Sequence, residues 1–382
     1  MTDEKKYFIE LLSSFVNRSV PTGRRVDFNE LFRLADIHDV AGIIDNQLKQ
    51  LDGEFLPQGN VKSYFNQSLG YTVKNYALRE NAYQLTKDFI ISNGCRFVFV
   101  KGINVKRYYP QPELRTSGDI DVIVDGGMLE KLYNSAKEKG YVIKDYVSHT
   151  LTLKLFKTDI EIHSQPDVFS DYFDDIFAVA DKTDDFEYSL NEYNELLFVL
   201  CHLAKHLAYR GAGIRMLLDI DLIIRGIGNF DSDYFFEMCS KANILKTAET
   251  LTSLCKLWFD TPIKSTVDIS GELLANLENV FLDGGSFGYE MNSVPTRYLS
   301  DGNNSKFKVM LKMAFPSREY LKICYPYYNK HAFLYPVARI NRPIDGLFKK
   351  KNRAKEIINN GSSFSDSGVR FEVLKELGIE KV

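Results

Sequence analysis

The sequence predicts an α+β fold, in which a small mixed β-sheet core is embedded between N-terminal helices and a C-terminal helical domain. Apolar residues recur at helical spacing before residue 94 and again after residue 193, whereas short apolar or alternating runs lie between them. The chain has 382 residues, which exceeds one ordinary domain of about 150 residues. The expected parts are an N-terminal helical segment over residues 1–94, a core over 95–190 and a C-terminal helical domain over 191–382.

The helical prediction for residues 5–94 depends on the spacing of apolar side chains. Residues 61–91 form the longest amphipathic stretch, with a loose period of 3.6, and Asn93 and Gly94 are typical of a helix end. A change of period then marks the core. Its predicted elements, in order, are a buried strand at 97–100, a strand at 119–124, a helix at 128–139, a strand at 141–143 and a hairpin formed by 150–156 and 160–163.

The C-terminal part is predicted to be mainly helical. Helical periodicity covers residues 193–257 and 307–358. Residues 271–305 are rich in Gly, Asn and Ser, so we expect a long loop or a pair of loops there.

Charge and composition exclude several classes of protein. Lys and Arg number 48 against 51 Asp and Glu, a net charge of -3, whereas proteins that bind long nucleic acid usually carry an excess of cations. We therefore expect no long nucleic acid as a partner. The one basic cluster favours a solvated helix face, and it consists of Lys349, Lys350, Lys351, Arg353 and Lys355.

The cysteines and apolar runs indicate a compartment. The five cysteines are scattered and contain no C-x-x-C pair, which argues against a disulfide framework and for a reducing environment. The N-terminus lacks the pattern of a signal peptide, and the longest apolar run, residues 196–204, falls far short of the ~20 residues that span a bilayer. We expect a cytoplasmic protein with no membrane partner.

Three carboxylates are the strongest candidates for chemistry. Asp119 and Asp121 are two apart in a predicted strand, so they share a face with Cα atoms about 6.6 Å apart. Glu161 alternates with isoleucines on the later hairpin strand and can add a third carboxylate. Carboxylates this close repel each other unless a cation lies between them. Mg²⁺ bound beside substrate phosphates is the cation that such oxygen ligands most often hold. The alternative is structural, because a D-x-D pair can also cap a turn or pair with Arg or Lys.

The residues before this strand favour an anion site. Lys101 and Gly102 join a strand to a helical stretch, where backbone N–H groups can approach an anion and the lysine adds positive charge. A proline-containing loop then leads to Arg115 and Ser117, and arginine suits a bidentate contact with phosphate. A salt bridge from Arg115 that orients Asp119 or Asp121 is equally compatible with the sequence.

Together these motifs resemble the uncharacterised nucleotidyltransferase family, which belongs to the DNA-polymerase-β-like nucleotidyltransferase superfamily. The matching segments are Lys101-Gly102, Tyr109-Pro110, Leu114-Arg115, residues 118–124, residues 160–163 and, more loosely, residues 197–224 and 314–317. The resemblance implies that Asp119, Asp121 and Glu161 are catalytic and bind metal, with Glu161 activating the acceptor hydroxyl. It also implies a nucleotide site that comprises Lys101, Gly102, Arg115, Ser117 and Gly118. The sequence departs from the superfamily at Ile103. A Gly or Ser is usual at this position and contacts phosphate through its amide or hydroxyl, and Ser117 is the candidate to make that contact here.

Histidines and one ion pair are candidates for an acceptor pocket, which would comprise His163, His202, His206, Arg215 and Asp219. His163 shares a face with Glu161 and can either contact substrate or pair with a carboxylate. His202 and His206 are four apart, but the glutamate of H-E-x-x-H is missing, so zinc is not expected. They can instead bond to acidic neighbours or line a cleft. Arg215 and Asp219 are also four apart, which favours a structural ion pair over a substrate contact.

The sequence thus predicts a transferase that uses Mg²⁺ or Mn²⁺. It would move a nucleoside monophosphate from an NTP, with ATP as the expected nucleotide, to a hydroxyl of a small molecule, peptide or protein, and release pyrophosphate. The alternative is a nucleotide- or partner-binding pseudoenzyme of the same fold, which the departure at Ile103 favours. A metal-dependent hydrolase built on His202 and His206 is a third interpretation.

Overall fold

The computed structural model describes residues 1–147, 149–209, 211–264, 267–285 and 372–379. The predictions for residues 286–305 and 307–358, the basic cluster near residue 350 and the motif at 314–317 lie outside these ranges. One compact unit contains the described residues of 1–205 and 212–285, and a second contains residues 206–209, Gly211 and 372–379. In the second unit, residues 372–376 are helical.

Four helices precede the sheet, as the apolar spacing predicts. They are α1 (Asp3–Val16), α2 (Phe28–Ile37), α3 (Ala41–Leu48) and α4 (Gly59–Ser92). The first begins where the Thr2 side chain accepts a hydrogen bond from the Lys5 amide, with two acidic residues in its first turn. Its apolar stripe, which includes Phe8, Leu12 and Phe15, is almost completely buried. Packing of such stripes, more than helix propensity, stabilises helices of this length.

One mixed seven-stranded sheet forms the core and confirms the α+β prediction. The strands are β1 (Phe97–Val100), β2 (Asp119–Val124), β3 (Val142–Val147), β4 (Thr150–Leu155), β5 (Thr158–His163), β6 (Ala180–Lys182) and β7 (Glu187–Leu190), and their order across the sheet is β3-β4-β5-β2-β1-β7-β6. β2 is parallel to β5 and β1 to β7, whereas the other pairs are antiparallel. Sequence periodicity does not predict β6 and β7, which have only three and four residues.

Alternation along the central strands separates a core face from a polar face. Ile120 and Val122 of β2 pack with Ile160 and Ile162 of β5 in an apolar cluster. This cluster also contains residues of α4 and of α6 (Leu129–Glu138). Because successive side chains of a strand point to opposite faces, the acidic residues between these isoleucines lie together on the other face. The core packing therefore determines where the carboxylates are.

The helical prediction for residues 193–257 is confirmed, and the loop prediction after it is wrong in part. Short α5 (Gly102–Val105) and α7 (Ile176–Val179) lie within the sheet region, and α8 (Glu192–Tyr209), α9 (Ile214–Gly226), α10 (Ser232–Lys241), α11 (Leu245–Phe259) and α12 (Gly271–Asp283) follow it. α12 occupies the first part of the predicted loop. Ser270 accepts a hydrogen bond from the Leu273 amide at its start, and Leu277 and Phe281 are buried. Most of the Gly and Ser residues that suggested a loop lie beyond residue 283.

Two further expectations can be compared with the described residues. The cysteines among them, Cys95, Cys201, Cys239 and Cys255, are buried free thiols. No helix within these ranges combines the length and the apolar character needed to cross a bilayer. Neither a disulfide nor a spanning helix therefore occurs in the described part of the chain.

His38 is a buried ionisable group between the N-terminal helices and α12. Its Nε2 donates a hydrogen bond of 3.1 Å to the carbonyl of Leu282, while the buried Nδ1 has no partner in the described structure. Burial lowers the pKa of His38 from 6.5 to about 4, because a proton on Nδ1 would bury an unpaired charge. Between these two values the unfolded chain binds more protons than the folded one. The free energy of unfolding must therefore decrease as the pH falls through this window.

We predict that His38→Gln makes the protein less sensitive to mild acid. Glutamine can still donate to the Leu282 carbonyl but does not titrate. Between pH 7.5 and 5.5 the wild type should lose about 1 to 2 kcal/mol of unfolding free energy more than the variant. Urea unfolding of both proteins at the two pH values measures this difference. An identical pH dependence in the two proteins would contradict the assignment.

Candidate metal and nucleotide site

The register between β2 and β5 brings two of the predicted carboxylates side by side. Asp121 lies opposite Glu161 across this parallel pair, and Asp119 lies opposite Asp159. The Asp121 side chain is 4% exposed, whereas that of Glu161 is 38% exposed. One carboxylate is therefore deep in the site and the other reaches its open side.

Two basic side chains contact the same oxygen of Asp121. Lys101 Nζ lies 2.8 Å from Asp121 Oδ1, and His163 Nε2 lies 3.2 Å from it. His163 Nε2 is also 3.6 Å from Glu161 Oε2, and its Nδ1 is 3.1 Å from the Thr150 hydroxyl. With the proton on Nε2, His163 donates to Asp121 and accepts from Thr150. The imidazole is thus held in place on both sides.

The donor set suits a divalent cation. Within the described residues, one group of at least three possible ligand side chains has its donor atoms within 4.8 Å of one another, and it consists of Asp121, Glu161 and His163. Carboxylates suit Mg²⁺ and Mn²⁺, whereas an imidazole is more usual as a ligand of transition metals than of Mg²⁺. Asp119 lies outside this group, and its Oδ1 accepts a 3.0 Å hydrogen bond from the Ser117 hydroxyl. His163, predicted for the acceptor pocket, is instead close enough to act as a ligand.

Electrostatics at the site reflect carboxylates withdrawn from water. Burial and the charge of Asp121 raise the pKa of Asp119, and burial together with both aspartates raises that of Glu161. Burial also acts to raise the pKa of Asp121, but the charge of Lys101 and the hydrogen bond from His163 hold it well below its usual range. Asp121 is therefore the permanently ionised member of the group, and the whole group favours a cation.

Three predicted nucleotide-site residues, Gly102, Arg115 and Ser117, meet at the end of β1. A Cβ on Gly102 would lie 2.6 Å from Arg115 Nη1 and 3.0 Å from Ser117 Oγ, so a larger residue there would collide with both. The lack of room for a Cβ explains why a glycine is found at position 102, in addition to the predicted backbone contact with an anion. Gly118 follows Ser117 and has open space around its Cα.

Arg115 is anchored by a partner far away in the sequence. Its Nε and Nη2 donate to the two carboxylate oxygens of Asp219 at 2.9 and 2.7 Å, and the Tyr109 hydroxyl donates to the same carboxylate at 2.7 Å. The alternative that the sequence left open, a salt bridge from Arg115 to Asp119 or Asp121, is not formed in the described structure. Nη1 has no hydrogen-bond partner among the described residues and lies beside Gly102. Arg115 can therefore act both as a structural anchor and as a donor to a bound anion.

Arg79 is a positioning residue that sequence reasoning missed. It lies on α4 and is buried, and its guanidinium donates to the carbonyl oxygens of Ser117 and Arg115 at 2.7 and 3.0 Å. Burial lowers its pKa to about 10. A signal existed, because Arg79 lies seven residues from both Thr72 and Thr86 on the buried face of the helix.

Among the described residues, the other acceptor-pocket candidates do not all form the contacts with each other that the sequence predicts. Arg215 donates from Nη1 to the carbonyl and hydroxyl oxygens of Thr116, both at 2.8 Å. The predicted ion pair between Arg215 and Asp219 is not formed in the described structure, because Arg115 takes both oxygens of that carboxylate. His202 and His206 lie on α8 and belong to no ligand group among the described residues.

The chain is an α+β protein with an acidic site on its mixed sheet, and its sequence places it in a family. Residues 24–260 match the family described as uncharacterised nucleotidyltransferase. This match covers more than half of the 382 residues, so the chain belongs to that family and the resemblance is confirmed. The family supports nucleotidyl transfer, and hence an NTP substrate, as the general activity. No curated protein and no solved structure matches the chain.

We predict that Asp219→Asn strongly destabilises the protein. Arg115 and Asp219 are each 7% exposed, and removal of one partner of a buried pair typically costs about 3 to 5 kcal/mol. The exposed pair of Glu30 with Arg33 supplies the control, since Glu30→Gln should cost less than about 1 kcal/mol. Thermal or urea unfolding of both variants measures the difference. Equal losses of stability would show that Asp219 is no more important than a surface carboxylate.

Proposed function

We propose that this protein is a metal-dependent nucleotidyltransferase that moves a nucleoside monophosphate from an NTP to a hydroxyl acceptor. One observation carries the proposal: Asp121 and Glu161 lie in register on neighbouring parallel strands, with Asp119 one pleat away, inside the segment that matches the family. Three acidic groups on adjacent strands suit phosphoryl-transfer chemistry, in which charge accumulates on phosphate oxygens. ATP is the expected nucleotide.

The chain's own residues divide into metal ligands and their supports. Asp121 and Glu161 would hold Mg²⁺ or Mn²⁺, with His163 close enough to join them. Asp119, two residues before Asp121 on β2, would be a further ligand. When bound, the cation would neutralise phosphate charge and stabilise the leaving pyrophosphate. If His163 Nε2 binds the cation, the imidazole proton lies on Nδ1, which then donates a hydrogen bond to the Thr150 hydroxyl oxygen.

The nucleotide's phosphates would bind next to the carboxylates. Arg115 Nη1, the Ser117 hydroxyl and the backbone around Gly102 and Gly118 form one polar corner, and Lys101 adds a positive charge. Asp219 holds the Arg115 guanidinium in one orientation, and this lowers the entropy that the arginine loses when it binds a phosphate. Ser117 would make the contact that a Gly or Ser at position 103 makes in related sequences.

Glu161 would accept the proton of the attacking hydroxyl. Its side chain is 38% exposed, so the carboxylate can reach an acceptor on the open side of the site. The acceptor oxygen forms a bond to the α-phosphorus, the bond to pyrophosphate breaks, and the hydroxyl proton passes to Glu161. The acceptor is a small molecule, peptide or protein. His163 Nε2 lies 3.6 Å from Glu161 Oε2 and is the first candidate for the acceptor pocket, while His202, Arg215 and Asp219 remain candidates for its walls.

We predict that Asp121→Asn and Glu161→Gln each abolish transfer, with activity reduced by at least about a hundredfold because each removes a charged group that acts in the transition state. The assay incubates α-labelled ATP, GTP, CTP and UTP with a cell extract, and it follows label transfer and pyrophosphate release. Asp145→Asn is the matched control, since it removes one carboxylate from exposed edge strand β3 of the same sheet and should leave activity unchanged.

The outcomes separate the two interpretations. Transfer by the wild type and by Asp121→Asn at equal rates would show that the site assignment is wrong. Nucleotide-dependent stabilisation in a thermal-shift assay with Mg²⁺, without transfer to any acceptor, would favour the pseudoenzyme. Departure of the sequence from its superfamily at Ile103 is the observation that supports this second candidate.

A further inference from the structure

Lys101 contacts a carboxylate that is also a candidate metal ligand. Its ammonium lies 2.8 Å from Oδ1 of Asp121, a residue of the ligand group. The Lys101 side chain is 15% exposed and the Asp121 side chain 4% exposed, so the pair is largely withdrawn from water. Asp121 is the ion-pair partner of Lys101 within the described residues. This lysine is thus a counter-ion for the ligand group itself.

The backbone at Lys101 is held in a conformation that disfavours side chains. Its φ is 59° and its ψ is -132°, a left-handed conformation in which a residue with a Cβ is strained. The strain occurs where β1 ends and α5 begins, next to a glycine that could adopt such a conformation more readily. A strained lysine whose ammonium points at a ligand oxygen indicates a role for the charge.

We propose that Lys101 competes with the divalent cation for Asp121 and, once displaced, pairs with the triphosphate of the nucleotide. This inference rests on the proposed function. An ammonium and a divalent cation repel each other strongly at one oxygen, so binding of the metal must move the lysine away. The triphosphate supplies a new anion for it beside Arg115 and Ser117. Metal and nucleotide therefore strengthen each other's binding through Lys101, and the effect is reciprocal.

Mn²⁺ affinity without nucleotide tests the competition. Free Mn²⁺ is measured by electron paramagnetic resonance during titration of the wild type, Lys101→Met and Lys154→Met. Lys154 is the matched control, because it also pairs with a carboxylate of the sheet, that of Asp159 on β5, but Asp159 is not in the ligand group. Lys101→Met should bind Mn²⁺ at least about tenfold more tightly than the wild type, and Lys154→Met should change affinity less than about threefold.

Pairing of the displaced Lys101 with the triphosphate is tested by repeating the Mn²⁺ titrations of the same proteins with a non-hydrolysable triphosphate analogue. The analogue should tighten Mn²⁺ binding more in the wild type than in Lys101→Met, because the variant has no ammonium to transfer. Equal Mn²⁺ affinities of Lys101→Met and wild type, or equal gains in both lysine variants, would overturn the competition. Failure of the proposed function is a separate outcome. It would be shown by an Asp121→Asn variant that binds Mn²⁺ with the same affinity as the wild type.

A measurement on the unmodified protein avoids any folding defect in the variants. Amine-reactive labelling followed by mass spectrometry reports how accessible the Lys101 ammonium is. Mg²⁺ should increase the labelling rate of Lys101 severalfold, and further addition of the analogue should reduce it again, while Lys154 stays constant. A Lys101 labelling rate that is indifferent to Mg²⁺ would contradict displacement.

Discussion

The parallel register between β2 and β5 is the constraint on which the site depends. It places Asp121 opposite Glu161, and it does so because the alternate residues, Ile120 and Ile160, are buried in the core. A shift of one residue would move the isoleucines toward solvent and the carboxylates into the apolar cluster, so the pairing is strongly specified. The hydrophobic core and the acidic group are therefore two faces of one strand pairing.

Concentrating carboxylates on that face creates an electrostatic cost that the surrounding residues offset. Lys101 and His163 contact Asp121 directly, and the Ser117 hydroxyl donates to Asp119. Further out, Arg79 and Arg115 fix the loop that leads into β2. The net charge of -3 thus conceals a locally charged centre in which acids and bases are matched. In the exchange that we propose, a divalent cation replaces the Lys101 ammonium at Asp121.

Local patterns made most of the core predictable, since β1 follows from a short apolar run, and β2 with the shared face of Asp119 and Asp121 follows from alternation. Contacts between distant segments could not be predicted in the same way. Arg115 is 104 residues from Asp219, and Arg79 is 36 residues from the Arg115 carbonyl that it binds. The Asp121–Lys101 pair depends on the antiparallel register of β1 with β2 across a long connection. Composition alone failed for α12, where loop-forming residues beyond the helix outweighed its leucines.

Anomalous diffraction from crystals soaked in Mn²⁺ tests most directly whether the β2–β5 pairing builds one cation site from Asp121 and its neighbours. We expect an anomalous peak about 2.0 to 2.3 Å from carboxylate oxygens of Asp121 and Glu161, at distances usual for such ligands. The Lys101 ammonium should have left Asp121 Oδ1 in the same crystals. A peak elsewhere on the protein, with the Lys101 pair intact, would contradict the account.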